Sequence, residues 1–229
     1  MNVSSGARAT LIRGAELVAA PWKNGGGVTR EVAAFPPGAA LDAFAWRVSI
    51  AEVAAPGAFS SFAGVDRTLV LLAGAGMMLD EVGGATLPLN APLDIARFAG
   101  ESAIGARLVD GPTRDFNLMV RRGLAVGEVC VAHGVDASGC TLDADVALLF
   151  CAAGSVKVSL GDDAATELSM DDTLRIDSPH ALRCVISGEG HALVVSIRYL
   201  RSVPTGQADN AVADLCGESE ASGVIHTPT

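Results

Sequence analysis

Lysine is almost missing from this chain. Lys23 and Lys157 stand against fourteen arginines, and acidic residues outnumber basic ones for a formal net charge of −10. That balance argues against broad nucleic-acid binding, which needs basic surface to displace counterions, and against docking on an anionic membrane. Long hydrophobic runs are absent too. The longest, LVLLAGAGMML at 69–79, is too short and too glycine-rich to span a bilayer. The first twenty residues lack a basic stretch followed by a long apolar one, so no secretory leader is expected. Five cysteines, at 130, 140, 151, 184 and 216, make no C-x-x-C. Their odd number and scatter argue against a disulfide framework or a structural zinc site and fit a reducing, cytoplasmic location. The four histidines, His133, His180, His191 and His226, form no H-x-H and no H-E-x-x-H, so no metal ligands are assigned. The serine-hydrolase elbow G-x-S-x-G is missing, and no cysteine has a visible histidine partner. No catalytic residue is assigned on these grounds.

What remains is apolar and strand-forming. Half of the 229 residues are hydrophobic and the mean hydropathy is +0.39, enough for a sizeable core. FAWRVSIAE (44–52) alternates strictly, with Phe44, Trp46, Val48 and Ile50 on one face and Arg47 and Ser49 on the other. RTLVLLAG (67–74), IGARLV (104–109), DFNLMVRR (115–122), DVALLFCAAG (145–154), SVKVSL (155–160), DTLRI (172–176), HALRCVIS (180–187) and HALVVSIRYL (191–200) read as further strands between Gly, Pro and Asp punctuation. No long amphipathic helix is predicted, and ELVAAPW holds at most a turn of one.

Two stretches echo each other. RTLVLLAGAGMML…LPLNAPLDIARFAGE reads as strand, glycine turn, strand, then an L…D-I…F strand, and VALLFCAAGSVKVSL…LSMDDTLRIDSPH has the same order, mostly in its apolar spacing. Two similar β units in tandem, divided near 122–128, are therefore expected: residues 1–123 and 124–203, followed by a loosely held tail at 204–229 without Lys or Arg.

The oddest stretch is PWKNGGGVTREV at 21–32. Gly25, Gly26 and Gly27 do not make a Walker A loop, because Lys23 precedes them and the β-prone VTREV follows. The dinucleotide fingerprint lacks its flanking strand and helix. No cofactor is implied. A hairpin turn and one wall of a ligand pocket both remain open. On the following strand Arg30 lies between Val28 and Val32, pointing either into a barrel or along a solvated surface, while Thr29 and Glu31 share the other face. Arg47 and Ser49 line either solvent or a polar pocket in which an Arg fork grips a carboxylate. Arg67 follows Asp66, with which it forms a turn ion pair in the plainest reading. Asp115 and Asn117 are poor strand formers at strand spacing, explained equally by a ligand or by neighbouring loop backbone.

PWKNGGGVTREV, FAWRVSIAEVAAPGAFSSFAGVDRTLVLLAGAGMML and LVDGPTRDFNLMVRRG, in that order over residues 21–123, closely resemble the HutD/Ves family. The resemblance implies an all-β bicupin, two tandem cupin-type β-barrels in one chain. It also implies a role beside histidine utilisation, exercised by binding a small metabolite. Metal-binding cupins carry two His and a Glu in a first motif. That motif is missing here, and only MDDTLRIDSPH resembles the later one. By this resemblance the ligand-binding positions are Lys23, Asn24, Gly25, Gly26, Gly27, Thr29, Glu31, Arg47, Ser49, Arg67, Asp115 and Asn117. The expected ligand is a small anionic metabolite of the urocanate or formyl- or formimino-glutamate type. A metal-independent enzyme using Asp115 or Glu31 as general base, and a protein-interaction module, are the alternatives. Cupins often pair through strand edges, which leaves room for a homodimer.

Overall fold

A computed structural model describes residues 6–137 and 139–200; the tail segment 204–229, Cys216 and His226 lie outside the described residues. In chain order the strands are β1 (Arg8–Ile12), β2 (Ala19–Pro21), β3 (Gly27–Phe35), β4 (Trp46–Val53), β5 (Gly57–Ala58), β6 (Val65–Ala73), β7 (Met77–Glu81), β8 (Thr86–Leu89), β9 (Ile95–Ala99) and β10 (Ile104–Leu108). They continue with β11 (Thr113–Arg121), β12 (Ala125–His133), β13 (Gly139–Leu142), β14 (Val146–Ala153), β15 (Ser155–Leu160), β16 (Thr166–Ser169), β17 (Thr173–Asp177), β18 (Leu182–Ser187) and β19 (His191–Tyr199). Among the described residues only single 3-10 turns interrupt them, at Gly14–Glu16 and Gly134–Asp136; the stretch ELVAAPW, expected to hold at most a helical turn, shares only Glu16 with the first and otherwise contributes strand β2.

The strands build two units of the same plan. In the first, the sheet β2-β3-β4-β11-β6-β9 faces the sheet β5-β10-β7-β8; in the second, β1-β17-β14-β19-β12 faces β13-β18-β15-β16. The run β4–β11 and the run β12–β19 repeat each other strand for strand: β6 pairs β9 and β11 as β14 pairs β17 and β19, and β7 pairs β8 and β10 as β15 pairs β16 and β18. This is the all-β bicupin of the sequence reading, with the echo at 67–101 and 146–180 as its visible trace. One strand crosses over. β1 lies within residues 1–123 yet pairs antiparallel with β17, from Arg8↔Asp177 to Ile12↔Thr173, so both ends of the described chain close the second unit.

Alternation decides what each face meets. Trp46, Val48, Ile50, Phe116, Leu118 and Val120 from the first large sheet pack against Val129, Leu148, Phe150, Leu193, Val195 and Ile197 from the second. Phe116 and Phe150 meet in its middle, ring centroids 5.0 Å apart. At the rim Trp46 Nε1–H donates to the hydroxyl of Tyr199, the only tyrosine of the chain, at 3.1 Å. A bulge between Glu31 and Ala33 turns both Val32 and Ala33 toward this interface. The opposite faces of the large sheets look into the two barrels, filled by Leu69, Leu71, Met77, Leu79 and Ile104 in the first and by Leu149, Val156, Leu168, Leu174 and Ile186 in the second.

Arg30 belongs to the inter-barrel side. It does not point into the barrel: its guanidinium donates to Glu52 across β3 and β4, because Val28, Arg30 and Val32 share the face of Ile50. Asp66 is likewise not the partner of Arg67; it accepts from Arg122, while Arg67 turns inward on the alternate face of β6.

Candidate functional site inside the first barrel

β11 lies between β4 and β6, and its inward residues Thr113, Asp115, Asn117 and Met119 form a column down the barrel wall. Arg47 on β4 and Arg67 on β6 both stand opposite Met119; Ser49 stands opposite Asn117. Ser49, Arg67, Thr113, Asp115 and Asn117 are buried, Asp115 to 1% exposure. Of the expected positions, Arg47, Ser49, Arg67, Asp115 and Asn117 thus share one side of this sheet; Thr113 joins them without having been expected, and Lys23 does not.

Several of the buried polar atoms find no partner. Arg67 Nε, Thr113 Oγ1, Asp115 Oδ2 and Asn117 Oδ1 are inaccessible and make no hydrogen bond within the described protein. Leaving a buried donor or acceptor unpaired costs on the order of 1–3 kcal/mol, and more for a charged group. Arg67 makes one long contact, donating from Nη1 to the Ser60 carbonyl at 3.4 Å. Its guanidinium carbon sits 5.0, 5.1 and 5.8 Å from the ring centres of Phe98, Phe59 and Phe62. Burial, and then the neighbouring Arg47 charge, pull Arg67 down to about 10 against the attraction of Asp115, so it stays cationic at neutral pH. Burial pushes the Asp115 carboxyl up to about 7, with Arg67 opposing.

The rim is better satisfied. Arg47 donates from Nε to Glu31 at 2.8 Å and from Nη1 to Ser49 Oγ at 3.2 Å. Glu31 is exposed, and the ion pair leaves it poorly placed as a buried general base. Trp22 Nε1–H donates to Thr29 Oγ1 at 2.8 Å, and the Trp22 ring packs onto the barrel core. The glycine run is a turn in its hydrogen bonding: Gly25 N–H donates to Trp22 O and Gly26 N–H to Asn24 Oδ1. Those two amides and Asn24 Oδ1 are therefore engaged within the turn, not directed at a ligand. Gly27 is needed for close approach, since a Cβ there would stand 2.4 Å from the Glu52 carbonyl and 3.1 Å from the Trp22 ring. Lys23 is exposed at the tip.

The second barrel supplies an internal control. β6 and β14 both end in Ala-Gly, Ala73–Gly74 and Ala153–Gly154, which aligns Arg67 with Ala147, Leu69 with Leu149 and Leu71 with Cys151. Through the registers, Asp115 opposite Leu71 then corresponds to Ala192 opposite Cys151, and Asn117 opposite Leu69 to Val194 opposite Leu149. Where the first barrel carries Arg67, Asp115 and Asn117, the second carries Ala147, Ala192 and Val194, packed in or against its core. The architecture does not require polar residues at these places.

Sequence reasoning missed the aromatic surround. Three of the seven phenylalanines converge on Arg67, but they come from the loop after β5 and from β9, and only the fold brings them together. Outside the barrel, a hollow of about 530 Å³ opens at the inter-barrel seam, lined by Gly14, Leu17, Arg30, Glu52, Arg114 and Asp171. Both of its arginines are already paired, Arg30 with Glu52 and Arg114 with Asp171. Among the described residues no three His, Cys, Asp or Glu side chains converge as metal ligands, and no helix is long and apolar enough to cross a membrane.

Residues 14–194 match the HutD family model. The chain belongs to the HutD family. It is 37% identical over 167 residues to an uncharacterized 21.2 kDa protein in the hutC 3' region of Pseudomonas putida, covering 73% of this chain and 86% of that one. It is 36% identical over 180 residues to protein Ves of Citrobacter koseri, covering 78% and 88%. The structure of HutD from Pseudomonas fluorescens SBW25, from a formate condition, superimposes with a TM-score of 0.75 at 32% identity, covering 85% of this chain and all of that one. The family is thus linked by name to histidine utilisation.

Proposed function

We propose that the first barrel of this HutD-family protein is a receptor for a small carboxylate-bearing metabolite and that the protein modulates histidine utilisation by binding it. The observation that carries this reading is the set of unpartnered buried atoms on Arg67, Asp115 and Asn117, at positions the second barrel fills with Ala147, Ala192 and Val194. A fold that tolerates apolar residues there has no structural need of a buried guanidinium with an idle N–H. A ligand that hydrogen-bonds these atoms supplies the missing reason.

The atoms also describe the ligand. Arg67, with Arg47 beside it, offers charge-assisted donors for a carboxylate. Asp115 Oδ2 and Asn117 Oδ1 offer acceptors, which N–H groups satisfy. Met119, opposite Arg67, and Asp115 are four residues apart on β11, roughly 13 Å of strand. An anion with its carboxylate toward Arg67 and N–H groups toward Asn117 and Asp115 matches these groups in kind. Urocanate and formyl- or formimino-glutamate have this chemistry. The elevated Asp115 carboxyl favours one second reading, a metal-independent enzyme in which Asp115 moves a proton.

A thermal-shift and calorimetric screen against these three anions tests both readings. Ligand at about a hundredfold over its Kd stabilises the native form by roughly 2.7 kcal/mol, a shift of several degrees. Lack of any shift in the wild-type protein would overturn the receptor reading, and product formation in the same mixtures would replace it with the enzyme reading.

A further inference from the structure

The second barrel holds a pair of thiols that the proposed receptor function does not use. Cys140 on β13 stands directly opposite Cys184 on β18 in the antiparallel register. Side chains of directly opposed residues leave the sheet on the same face, with Cα atoms about 4.5–5.5 Å apart. A disulfide needs a Cα separation of roughly 4.4–6.8 Å, so the backbone already holds these residues within bridging range. The two thiols influence each other's titration, Cys184 lowering Cys140 and Cys140 raising Cys184. Their surroundings differ. Cys140 is exposed on an edge strand, whereas Cys184 is fully buried in the barrel core.

The remaining described cysteines lack this arrangement. Cys151 is buried, its thiol contacts the carbonyls of Ala153 and Gly154, and burial pushes it up to about 11. Cys130 is exposed, on β12, opposite Val194. Among the described cysteines only Cys140 combines solvent access with a second cysteine directly opposite it on the neighbouring strand.

We propose that Cys140 and Cys184 form a reactive dithiol, a modification site at which a hydroperoxide closes a cross-strand disulfide between β13 and β18. Cys140 is the attacking sulfur. Its thiolate takes the terminal peroxide oxygen, the O–O bond breaks, and water (or an alcohol, from an organic hydroperoxide) departs, leaving a sulfenic acid. Cys184 then attacks the Cys140 sulfur. The S–O bond breaks, the Cys184 proton leaves with the oxygen as a second water, and the S–S bond forms. Two thiols lose two electrons and one hydroperoxide gains them. Cys184 needs no access to the oxidant, because its sulfur already lies beside that of Cys140. The influence of the neighbouring thiols on each other agrees with this assignment of roles: Cys184 holds the Cys140 thiol at about 7, below the usual thiol range, and Cys140 raises Cys184.

The test uses the full chain and hydrogen peroxide. Reduced protein is treated with peroxide, its remaining thiols are trapped with N-ethylmaleimide under denaturing conditions, and its peptides are mapped by mass. The expected product is a Cys140–Cys184 linked peptide, two hydrogens lighter than the reduced pair and reopened by dithiothreitol. In the untreated native protein Cys140 is expected to alkylate about fivefold faster than a free cysteine at neutral pH, the gain in thiolate being partly offset by lower nucleophilicity. Cys140→Ser should leave Cys184 as a thiol after peroxide. Cys184→Ala, which keeps a small apolar group in the core, should divert Cys140 to sulfinic acid. Recovery of wild-type Cys140 as sulfinic or sulfonic acid with Cys184 still free, or a bridge from Cys140 to another cysteine, would overturn the proposal.

Discussion

Arg67 and Asp115 share the interior of the first barrel and feel each other's charge, yet no hydrogen bond joins them. An opposed pair that paired fully would need no third group. This one leaves Arg67 Nε and Asp115 Oδ2 unsatisfied, with Asn117 Oδ1 on the wall between them. The second barrel shows the alternative solution, and it converts into a prediction. Giving the first barrel the residues of the second, Arg67→Ala with Asp115→Ala and Asn117→Val, removes the buried charges and their unpaired atoms. The triple variant should fold with unchanged or higher stability in denaturant unfolding and lose its thermal response to carboxylate metabolites. Arg67→Ala alone should weaken anion binding by roughly 10- to 100-fold, the value of a charge-assisted hydrogen bond in a dry site. A triple variant that fails to fold would instead make the cluster structural.

Asp115 also sets a direction for stability against pH. Its carboxyl titrates near 7 in the native protein and near 3.9 in an unfolded chain, so the native state binds the extra proton between those values. Stability from this group is present in full below about pH 4 and is lost as pH rises through 7, at most roughly 4 kcal/mol in all. Carboxylates held below their usual range, such as Asp80 beside Arg107 and Thr86, act in the opposite sense at lower pH. The contribution of Asp115 is therefore read as a difference: wild type minus Asp115→Asn in urea unfolding at pH 5 and pH 8. The variant should lose less stability than wild type over that interval. Equal losses would show that Asp115 is ionised throughout.

How far the sequence carried this reading depended on periodicity. In β4 the alternation of Trp46, Val48 and Ile50 with Arg47 and Ser49 separated the two faces but left the polar one between solvent and a pocket; the fold decides it, since the apolar face meets the inter-barrel core and the other looks into the barrel. In β11, Asp115 and Asn117 stood out because both are poor strand formers placed at strand spacing. In β3 alternation alone left Arg30 between the barrel and a solvated surface; it sits among apolar neighbours because the inter-barrel face tolerates a guanidinium at its rim when Glu52 lies across from it. β12 was not legible, since AVGEVCVAH mixes glycine, acid and small residues and gains its strand from pairing with β19. The crossing of β1 to β17, and the gathering of Phe59, Phe62 and Phe98, are long-range events with no local signature.

The glycine turn yields a prediction that separates its members. A Cβ on Gly27 would meet the Glu52 carbonyl at 2.4 Å, a backbone atom that cannot swing away, while on Gly26 it would meet the Asn24 side chain at 3.3 Å. Gly27→Ala should cost about 2 kcal/mol or more in unfolding free energy, because β3 must shift from β4 to make room. Gly26→Ala should cost well under 1 kcal/mol. Thermal unfolding of the two variants side by side measures this, and equal losses would mean that the turn relaxes as a unit.

Glu31 gives the sharpest test of an anion at the barrel mouth. It is exposed and accepts from Arg47 Nε, so it stands where it competes with an incoming carboxylate for the same guanidinium. Arg47 in turn neighbours Arg67 and weakens that group's hold on its proton, which places both cations within reach of one ligand. Glu31→Gln removes the competing charge and keeps the shape. It should tighten binding of a carboxylate metabolite severalfold, whereas Arg47→Ala should loosen it, with little change in the melting temperature of the free protein in either case. The opposite signs matter, because a purely structural ion pair would make both variants move the same way. Isothermal titration with urocanate, formylglutamate and formiminoglutamate reads the two effects directly. Raising the salt concentration should shrink both, since the rim of the barrel is open to solvent screening. If Glu31→Gln leaves affinity unchanged while Arg67→Ala abolishes it, the carboxylate sits deeper than Arg47, against Arg67 and the phenylalanines alone.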